Sequence, residues 1–285
     1  MTASVSLPPM KNIFRPIVAL FLYAFFLAGI ALPASSHEFW LEPQQFQPET
    51  GATLQVKLRN GMNFSGIELG YFDNRTEVFD IIQNGTRTPV DARAGDFPAF
   101  SKPVLTDGLM VLIYQSKFST VQYNKFEKFV AFVEHKSFDG VVERHKERGL
   151  PMERFSEVYT RFCKTLIGVG SGAGQDAATG METEFVALTN PYTDDLSDGF
   201  TVQVLYQGAP RVDTQVEVFE RAPDNTVTVT YHRTDDQGHA TVPVKPGHTY
   251  LFDAVVLREP AQTLADETNA VWESLWASLT FATPN

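Results

Sequence analysis

His37 is the residue whose type and position point most directly to chemistry, because it follows a predicted signal-cleavage site. Cleavage after Ser36 would make His37 the first residue of the mature chain, with a free α-amine beside its imidazole. The two nitrogens together can chelate one divalent ion, which no internal histidine can do alone, and Glu38 could add a carboxylate. Nickel, cobalt and copper favour such nitrogen donors. The alternative is that His37 is only a polar first residue.

The segment ahead of His37 has the composition of a secretory signal peptide. Residues 1–36 contain no acidic residue, and Lys11 and Arg15 precede an apolar run from Ile17 to Leu32. Small residues follow, as signal peptidase requires. We therefore predict a signal peptide over residues 1–36 and a periplasmic location. The apolar run has 16 residues, fewer than the roughly 20 that a spanning helix needs, so we expect no membrane span after cleavage.

Two further histidines, His135 and His145, are candidate ligands for the same ion. They lie on separate predicted helices and lack the i, i+4 spacing of a helical zinc site. Each is expected in solvent unless a metal recruits it. The predicted cofactor is a divalent transition metal ion, nickel or cobalt, with copper as the alternative. The full set of predicted metal ligands is His37, Glu38, His135 and His145.

Motifs for covalent or phosphoryl chemistry are missing from the sequence. No Gly-x-Ser-x-Gly elbow occurs, and the single cysteine, Cys163, lies in an apolar segment that favours burial. The glycine-rich stretch from Gly168 to Gly180 lacks the lysine of a P-loop. We therefore predict no catalytic residues and a protein that is not an enzyme. An oxidative enzyme with a histidine brace stays a rival interpretation, because an N-terminal histidine is its defining ligand.

The charge balance restricts the partners of the protein. Its net charge is −11, and loss of Lys11 and Arg15 with residues 1–36 would make it −13, because no acid is lost with them. A surface of this sign is not expected to bind nucleic acid and favours cations. One cysteine cannot form an internal disulfide, so stability must come from packing.

Alternating and apolar runs predict a mainly β fold. In the first half, strands are expected over Thr53–Leu58, Thr76–Ile82 and Leu109–Tyr114, the last apolar on both faces and therefore central. We predict two β-sandwich domains, Ig-like or transthyretin-like, over residues 37–122 and 181–285. The second domain contains five predicted strands separated by turn signals, over residues 200–206, 214–219, 227–233, 240–244 and 250–257.

Between these domains, residues 123–180 are predicted to form a helical insertion and a glycine-rich loop. The apolar residues of 123–133 share one helical face. A second helix is expected over residues 139–148, because Gly149 and Pro151 follow. A third is suggested by the helical spacing of four apolar residues, Phe155, Val158, Tyr159 and Phe162.

Four stretches resemble one family of secreted bacterial proteins: His37–Pro43, Gly95–Ala99, Tyr159–Leu166 and Trp272–Phe281. The family is domain-of-unknown-function family 4198, which is grouped with periplasmic components of cobalt and nickel uptake systems. The resemblance implies a metal position at His37 and delivery of the ion to a membrane transporter. It does not carry over to His135 or His145.

Two turns of the second half support a competing function. Thr234–Ala240 and Pro246–Tyr250 resemble turn motifs of transthyretin-like or carboxypeptidase-regulatory-like modules, which serve as structural or adhesive units. The alternative function is therefore a non-enzymatic interaction module that binds a carbohydrate or an envelope protein. The three tryptophans, Trp40, Trp272 and Trp276, could form a sugar-stacking platform, but their apolar neighbours favour the core.

Overall fold

The computed structural model describes residues 1–2 and 38–285. Residues 3–37, which include His37 and most of the predicted signal peptide, lie outside the described residues. From residue 38 onward the described chain belongs to one compact unit. Within the described residues, no helix has the length and apolar character that crossing a membrane requires.

The described chain is mainly β, which confirms the predicted fold class. The first half contains, in chain order, β1 (Glu38–Pro43), β2 (Thr53–Met62), β3 (Ser65–Leu69), β4 (Thr76–Gln83), β5 (Thr86–Pro89), β6 (Phe100–Pro103), β7 (Gly108–Ser116), β8 (Ser119–Tyr123), α1 (Phe126–His135) and α2 (Val141–Glu147). The second half contains β9 (Phe155–Val169), β10 (Thr183–Ala187), β11 (Phe200–Tyr206), β12 (Ala209–Pro210), β13 (Gln215–Arg221), β14 (Val227–Arg233), β15 (His239–Val242), β16 (Thr249–Arg258), α3 (Gln262–Thr268) and β17 (Ala270–Ala282).

The strands form three sheets. The N-sheet contains β1, β2, β3 and β6, and the C-sheet contains β10, β11, β12 and β15. Between them lies a central sheet of nine strands, in the order β14-β13-β16-β17-β9-β7-β4-β5, with β8 also paired to β9. The central sheet takes strands from both predicted sandwich domains. The boundaries after residues 122 and 180 are therefore not edges of separate sheets, and the division into two domains stays a prediction.

The central sheet has an apolar core on each face, which explains its continuous hydrophobic runs. Neighbouring residues of β7 point to opposite faces, as in any strand. Ile113 packs with Phe200 of the C-sheet, and Leu112 packs in the core that contains Val56 of the N-sheet. A strand covered on both faces cannot alternate apolar and polar residues. The prediction that Leu109–Tyr114 is a central strand is confirmed.

Helices α1 and α2 cover the part of the central sheet that the N-sheet leaves open. Phe129, Phe132 and Val133 of α1 are buried against the aromatic residues Trp272 and Trp276 of β17. The two helices predicted after residue 123 are confirmed, with α2 two residues shorter at its start and one at its end than residues 139–148.

The third predicted helix is wrong, because Phe155–Val169 forms the long strand β9. Apolar residues at helical spacing also suit a strand that is buried on both faces. Three charged side chains of β9, Glu157, Arg161 and Lys164, are buried among them. Strand β9 lies between β7 and β17, and its pairing with β17 is parallel.

Strand β1 is fixed to the central sheet by side-chain hydroxyls. Ser278 Oγ of β17 donates to the carbonyl oxygen of Phe39 at 2.8 Å, and Thr280 Oγ1 donates to that of Leu41 at 2.7 Å. The Cys163 thiol contacts the Phe39 carbonyl as well, at 3.4 Å. Within the N-sheet, β1 pairs with β2 in antiparallel orientation. These contacts fix the position of Glu38, the first residue of β1.

Candidate functional site

A buried group of charges lies where β1, the end of α1 and the central sheet meet. Glu217 of β13 and Asp253 of β16 are directly opposite each other in register. Lys136, which follows α1, places its Nζ between them, 2.5 Å from Glu217 Oε2 and 2.8 Å from Asp253 Oδ2. All three side chains are at most 5% exposed. We call Glu38, His135, Lys136, Glu217 and Asp253 the charge cluster.

Glu38 adds a third carboxylate to the charge cluster. The residue is 4% exposed, and its Oε2 has no hydrogen-bond partner among the described residues. Burial raises the pKa of Glu38 to about 7; the charge of Lys136 opposes this rise, and those of Asp253 and Glu217 add to it. Glu38 is therefore the carboxylate of the cluster that can gain or lose a proton near neutral pH.

His135 is the member of the charge cluster that reaches solvent. Its Nε2 lies 3.0 Å from Glu217 Oε1, and its side chain is 43% exposed. The ring of Tyr231, also exposed, stands perpendicular to it at a centroid distance of 6.1 Å. Burial raises the pKa of Glu217, but the hydrogen bonds and charges of His135 and Lys136 outweigh it, and the pKa is lowered. Glu217 is therefore ionised beside the exposed imidazole.

Lys136 is held as an ammonium ion despite its burial. Burial alone would lower its pKa, but the carboxylates of Asp253, Glu217 and Glu38 together raise it. When Glu38, Glu217, Asp253 and Lys136 are all ionised, the charges of these four groups sum to −2, and Arg161, which interacts with Asp253 and Glu38, offsets part of that sum. A buried group of charges is stable only when its charges are compensated. The cluster therefore favours the approach of a further cation.

His145 lies apart from the charge cluster, among the aromatic residues beneath α1 and α2. It is 0% exposed, so the expectation that it lies in solvent is wrong. Its Nδ1 accepts a hydrogen bond from Trp272 Nε1 at 3.0 Å, and its Nε2 lies 2.9 Å from the Pro151 carbonyl oxygen. The carbonyl can only accept, so the ring proton is on Nε2. Both ring nitrogens therefore have a hydrogen-bond partner, which explains how the ring can be buried.

The described residues alone do not form a metal site. Among residues 1–2 and 38–285, no three His, Cys, Asp or Glu side chains are arranged to hold an ion. Glu38 and His135 belong to the same charge cluster, His145 does not, and His37 lies outside the described residues. Lys136, Glu217 and Asp253 were not predicted. For Glu217 and Asp253 the sequence signal was a carboxylate inside an apolar run, as for Asp253 within Tyr250–Leu257, whereas Lys136 lies in a polar stretch and gave no such signal.

The three tryptophans are at most 1% exposed, which confirms the expectation that they belong to the core. Trp276 Nε1 donates to Ser274 Oγ at 2.8 Å, and Ser274 Oγ donates in turn to Glu157. Glu157 also accepts the Tyr123 hydroxyl at 2.9 Å. Because the tryptophan rings are buried, they cannot stack against a sugar.

Glu157 is expected to make stability depend on pH. Burial raises its pKa to about 7, although hydrogen bonds from Ser274 and Tyr123 and the charge of Arg161 oppose the rise. The folded state therefore binds the proton more tightly than the unfolded state, whose pKa is 4.5. Tighter binding of the proton stabilises the folded state. This contribution to the free energy of unfolding is complete below the unfolded-state pKa of Glu157 and is lost as the pH rises through about 7.

Urea denaturation of the wild type and of Glu157→Gln, at about pH 5 and about pH 8, measures this contribution. When the pH is lowered from about 8 to about 5, the free energy of unfolding of the wild type should rise by up to about 3 kcal/mol more than that of the variant. Other groups titrate equally in both proteins and cancel in the difference. An equal pH response of the two proteins would show that Glu157 is ionised in the folded state.

Together these features define a mainly β protein of three stacked sheets, with a buried charge cluster at the start of its first strand. The chain belongs to the family described as Domain of unknown function (DUF4198), whose model matches residues 34–258. The predicted membership of this family is thereby confirmed, and three of the four stretches, all but Trp272–Phe281, lie within the matched residues.

Other comparisons add little. No match was found among curated proteins. One solved structure that matches is a crystal structure of a tetra-tandem repeat in the extending region of a large adhesion protein. It is 11% identical, with a TM-score of 0.20, and the match covers 86% of this chain and 49% of that one. This chain thus spans about half the length of the matched chain, and a likeness of this size supports no conclusion about function.

Proposed function

We propose that this is an exported periplasmic protein that binds a divalent transition metal ion at the start of its mature chain. Nickel or cobalt is the proposed ion, with copper as the alternative, and His37, Glu38 and His135 are the proposed donors. The observation on which the proposal rests is the position of Glu38. The residue next to His37 in the chain has its carboxylate buried beside Glu217 and Asp253.

The charges near Glu38 favour a cation. When the three carboxylates of the charge cluster, Lys136 and Arg161, which interacts with Asp253 and Glu38, are all ionised, their charges sum to −1, and the whole chain is at −11. A mature chain that begins at His37 would bring an α-amine and an imidazole to this place, joined to Glu38 by one peptide bond. Amine and imidazole nitrogens with a carboxylate are a donor set that nickel, cobalt and copper accept.

Two of the predicted ligands differ in what they can contribute. His135 is half-exposed, and its imidazole contacts the charge cluster, so it can turn towards an ion without unfolding the chain. His145 would have to give up hydrogen bonds to Trp272 and Pro151 inside an aromatic core. We therefore leave His145 out of the proposed site. Delivery of the ion to a membrane uptake system is part of the same proposal.

Calorimetric titration tests the proposal on protein purified from the periplasmic fraction, with the N-terminus checked by mass spectrometry. Wild-type protein should bind nickel, cobalt or copper saturably at neutral pH. His37→Ala should weaken binding by roughly 100-fold, and one alanine inserted ahead of His37 should do the same by displacing the amine. Glu38→Gln should weaken binding by roughly tenfold.

His248→Ala is the matched control, because His248 contacts Pro246 at the far end of β16. It should bind metal as the wild type does. A mature chain that starts at any other residue, or the absence of saturable binding of all three ions, would refute the proposal. An equal loss in His248→Ala and His37→Ala would also contradict it, since binding would then depend on surface histidines in general.

A further inference from the structure

A second site is suggested by a cavity of about 390 Å³ between the N-sheet and the central sheet. Strands β1, β2, β3, β7, β8 and β9 contribute residues to its wall. The volume lies at the lower end of the range of small-molecule sites, roughly 300–1,000 Å³. It can therefore enclose a small organic molecule.

The cavity is lined by positive charge. Arg75, Lys117 and Arg161 line it, and no acidic side chain does so among the described residues. By contrast, the cavity that contains Asp194, Asp195 and Lys245 carries both signs. Arg161 also interacts with the carboxylates of Asp253 and Glu38, so the net positive charge of the cavity comes mainly from Arg75 and Lys117. In a protein with a net charge of −11, these two cations favour an anionic occupant.

The cations differ in their exposure. Arg161 is buried, at 6% exposure, whereas Arg75 and Lys117 are exposed residues. Arg161 therefore belongs to the inner wall, and the other two to the rim. An anion that enters between Arg75 and Lys117 would leave bulk water as it approaches Arg161, and charge-assisted hydrogen bonds strengthen under those conditions.

Aromatic rings line the same cavity between the cations. Phe39 and Tyr114 are stacked with their centroids 5.3 Å apart and their planes at 15°. The guanidinium carbon of Arg161 lies 4.9 Å from the ring centroid of Tyr159. A flat apolar group can stack against such rings, while an inorganic anion gains nothing from them. The cationic and the aromatic residues of the cavity together fit a molecule with a planar apolar body and an anionic end.

We propose that the cavity between the two sheets binds a small organic anion with a planar apolar body and one carboxylate. Its body lies against Phe39, Tyr114 and Tyr159, and its carboxylate meets the cationic groups of Arg75 and Lys117. Planar carboxylates suit the forked geometry of arginine. None of the proposed metal donors lines this cavity.

Calorimetry in metal-free buffer of fixed ionic strength tests this proposal with benzoate as the probe. Benzamide has the same shape without the charge, and inorganic phosphate has the charge without the ring. Benzoate should bind saturably, and both other compounds at least about tenfold more weakly. Arg75→Gln and Lys117→Gln should each weaken benzoate binding by about three- to tenfold. Both residues are exposed, so the variants should fold, which circular dichroism checks.

Arg93→Gln is the matched control, because Arg93 is an exposed arginine that does not line this cavity. It should bind benzoate as the wild type does. The proposal fails if benzoate does not bind, if benzamide or phosphate binds as well as benzoate, or if Arg93→Gln weakens binding as much as Arg75→Gln does. Because no metal is present, none of these results bears on the metal site.

Discussion

Replacement of Lys136 by methionine is expected to lower the free energy of unfolding by about 3–5 kcal/mol. The variant leaves Glu217 and Asp253 buried without the ammonium that lies 2.5 Å and 2.8 Å from them. It also removes the cation 4.9 Å from the Trp276 ring centroid. Urea denaturation at neutral pH, followed by tryptophan fluorescence, measures the loss.

The effect of unpaired buried charge on the stability of Lys136→Met can be separated from the effect of lost packing. If unpaired charge is responsible, the triple variant Lys136→Met, Glu217→Gln, Asp253→Asn should recover most of the stability, because the two side chains that Lys136 contacts are then uncharged. Lys146→Met on α2 is the control, since Lys146 is exposed; its effect should stay within about 0.5 kcal/mol. A loss below about 1 kcal/mol in Lys136→Met would mean that water or relaxation compensates the two carboxylates.

Replacement of Lys164 by methionine is expected to have a similar cost, about 3–5 kcal/mol, and to release the glycine-rich loop. Lys164 is completely buried, and its Nζ lies 3.1 Å and 3.0 Å from the two carboxylate oxygens of Asp176. It also lies 3.3 Å from Glu184 Oε2. Asp176 belongs to the loop that follows β9, so this ion pair attaches the loop to the central sheet.

Two measurements check the Lys164 prediction. Urea denaturation gives the loss of stability, and limited digestion with proteinase K should cleave the variant within residues 170–180 at native conditions, well before the wild type. Lys245→Met is the control, because Lys245 is 63% exposed in its ion pair with Glu220. Wild-type resistance of Lys164→Met to the protease would show that backbone contacts alone hold the loop.

Short-range patterns predicted much of the fold. The alternation of Thr53–Leu58 lies within β2, and the five runs of the second half correspond to β11, β13, β14, β15 and β16. In β2, β11 and β14 the pattern arises from side chains that point in turn to a covered face and a less covered one, whereas β13 and β16 are apolar runs between turn signals. Both kinds of information are local. Helix α1 was predictable for the same reason, since its buried face repeats with the helical period.

The error at Phe155–Phe162 has a physical cause. Hydrophobic spacing distinguishes a helix from a strand only when one face meets solvent. Strand β9 has apolar cores on both faces, and its buried polar residues find their hydrogen-bond and ion-pair partners on other strands. Glu157 bonds with Ser274, and Lys164 with Glu184. No local window contains these pairings.

The candidate site was predictable only in part. Glu38 and His135 were selected as possible ligands, and both belong to the charge cluster. The cluster as a whole depends on the register of β13 with β16, which sets Glu217 opposite Asp253, and on Lys136 reaching them from the end of α1. His145 was misjudged because the indole that satisfies it, Trp272, is 127 residues away.

The hydroxyl contacts of β1 bear on the order in which the chain matures. Ser278 and Thr280 bond to carbonyls that lie 239 residues earlier. A ribosome releases the N-terminus first, so β1 emerges at the outset while the groups that fasten it emerge almost last. Final docking of β1 must therefore wait for the end of translation.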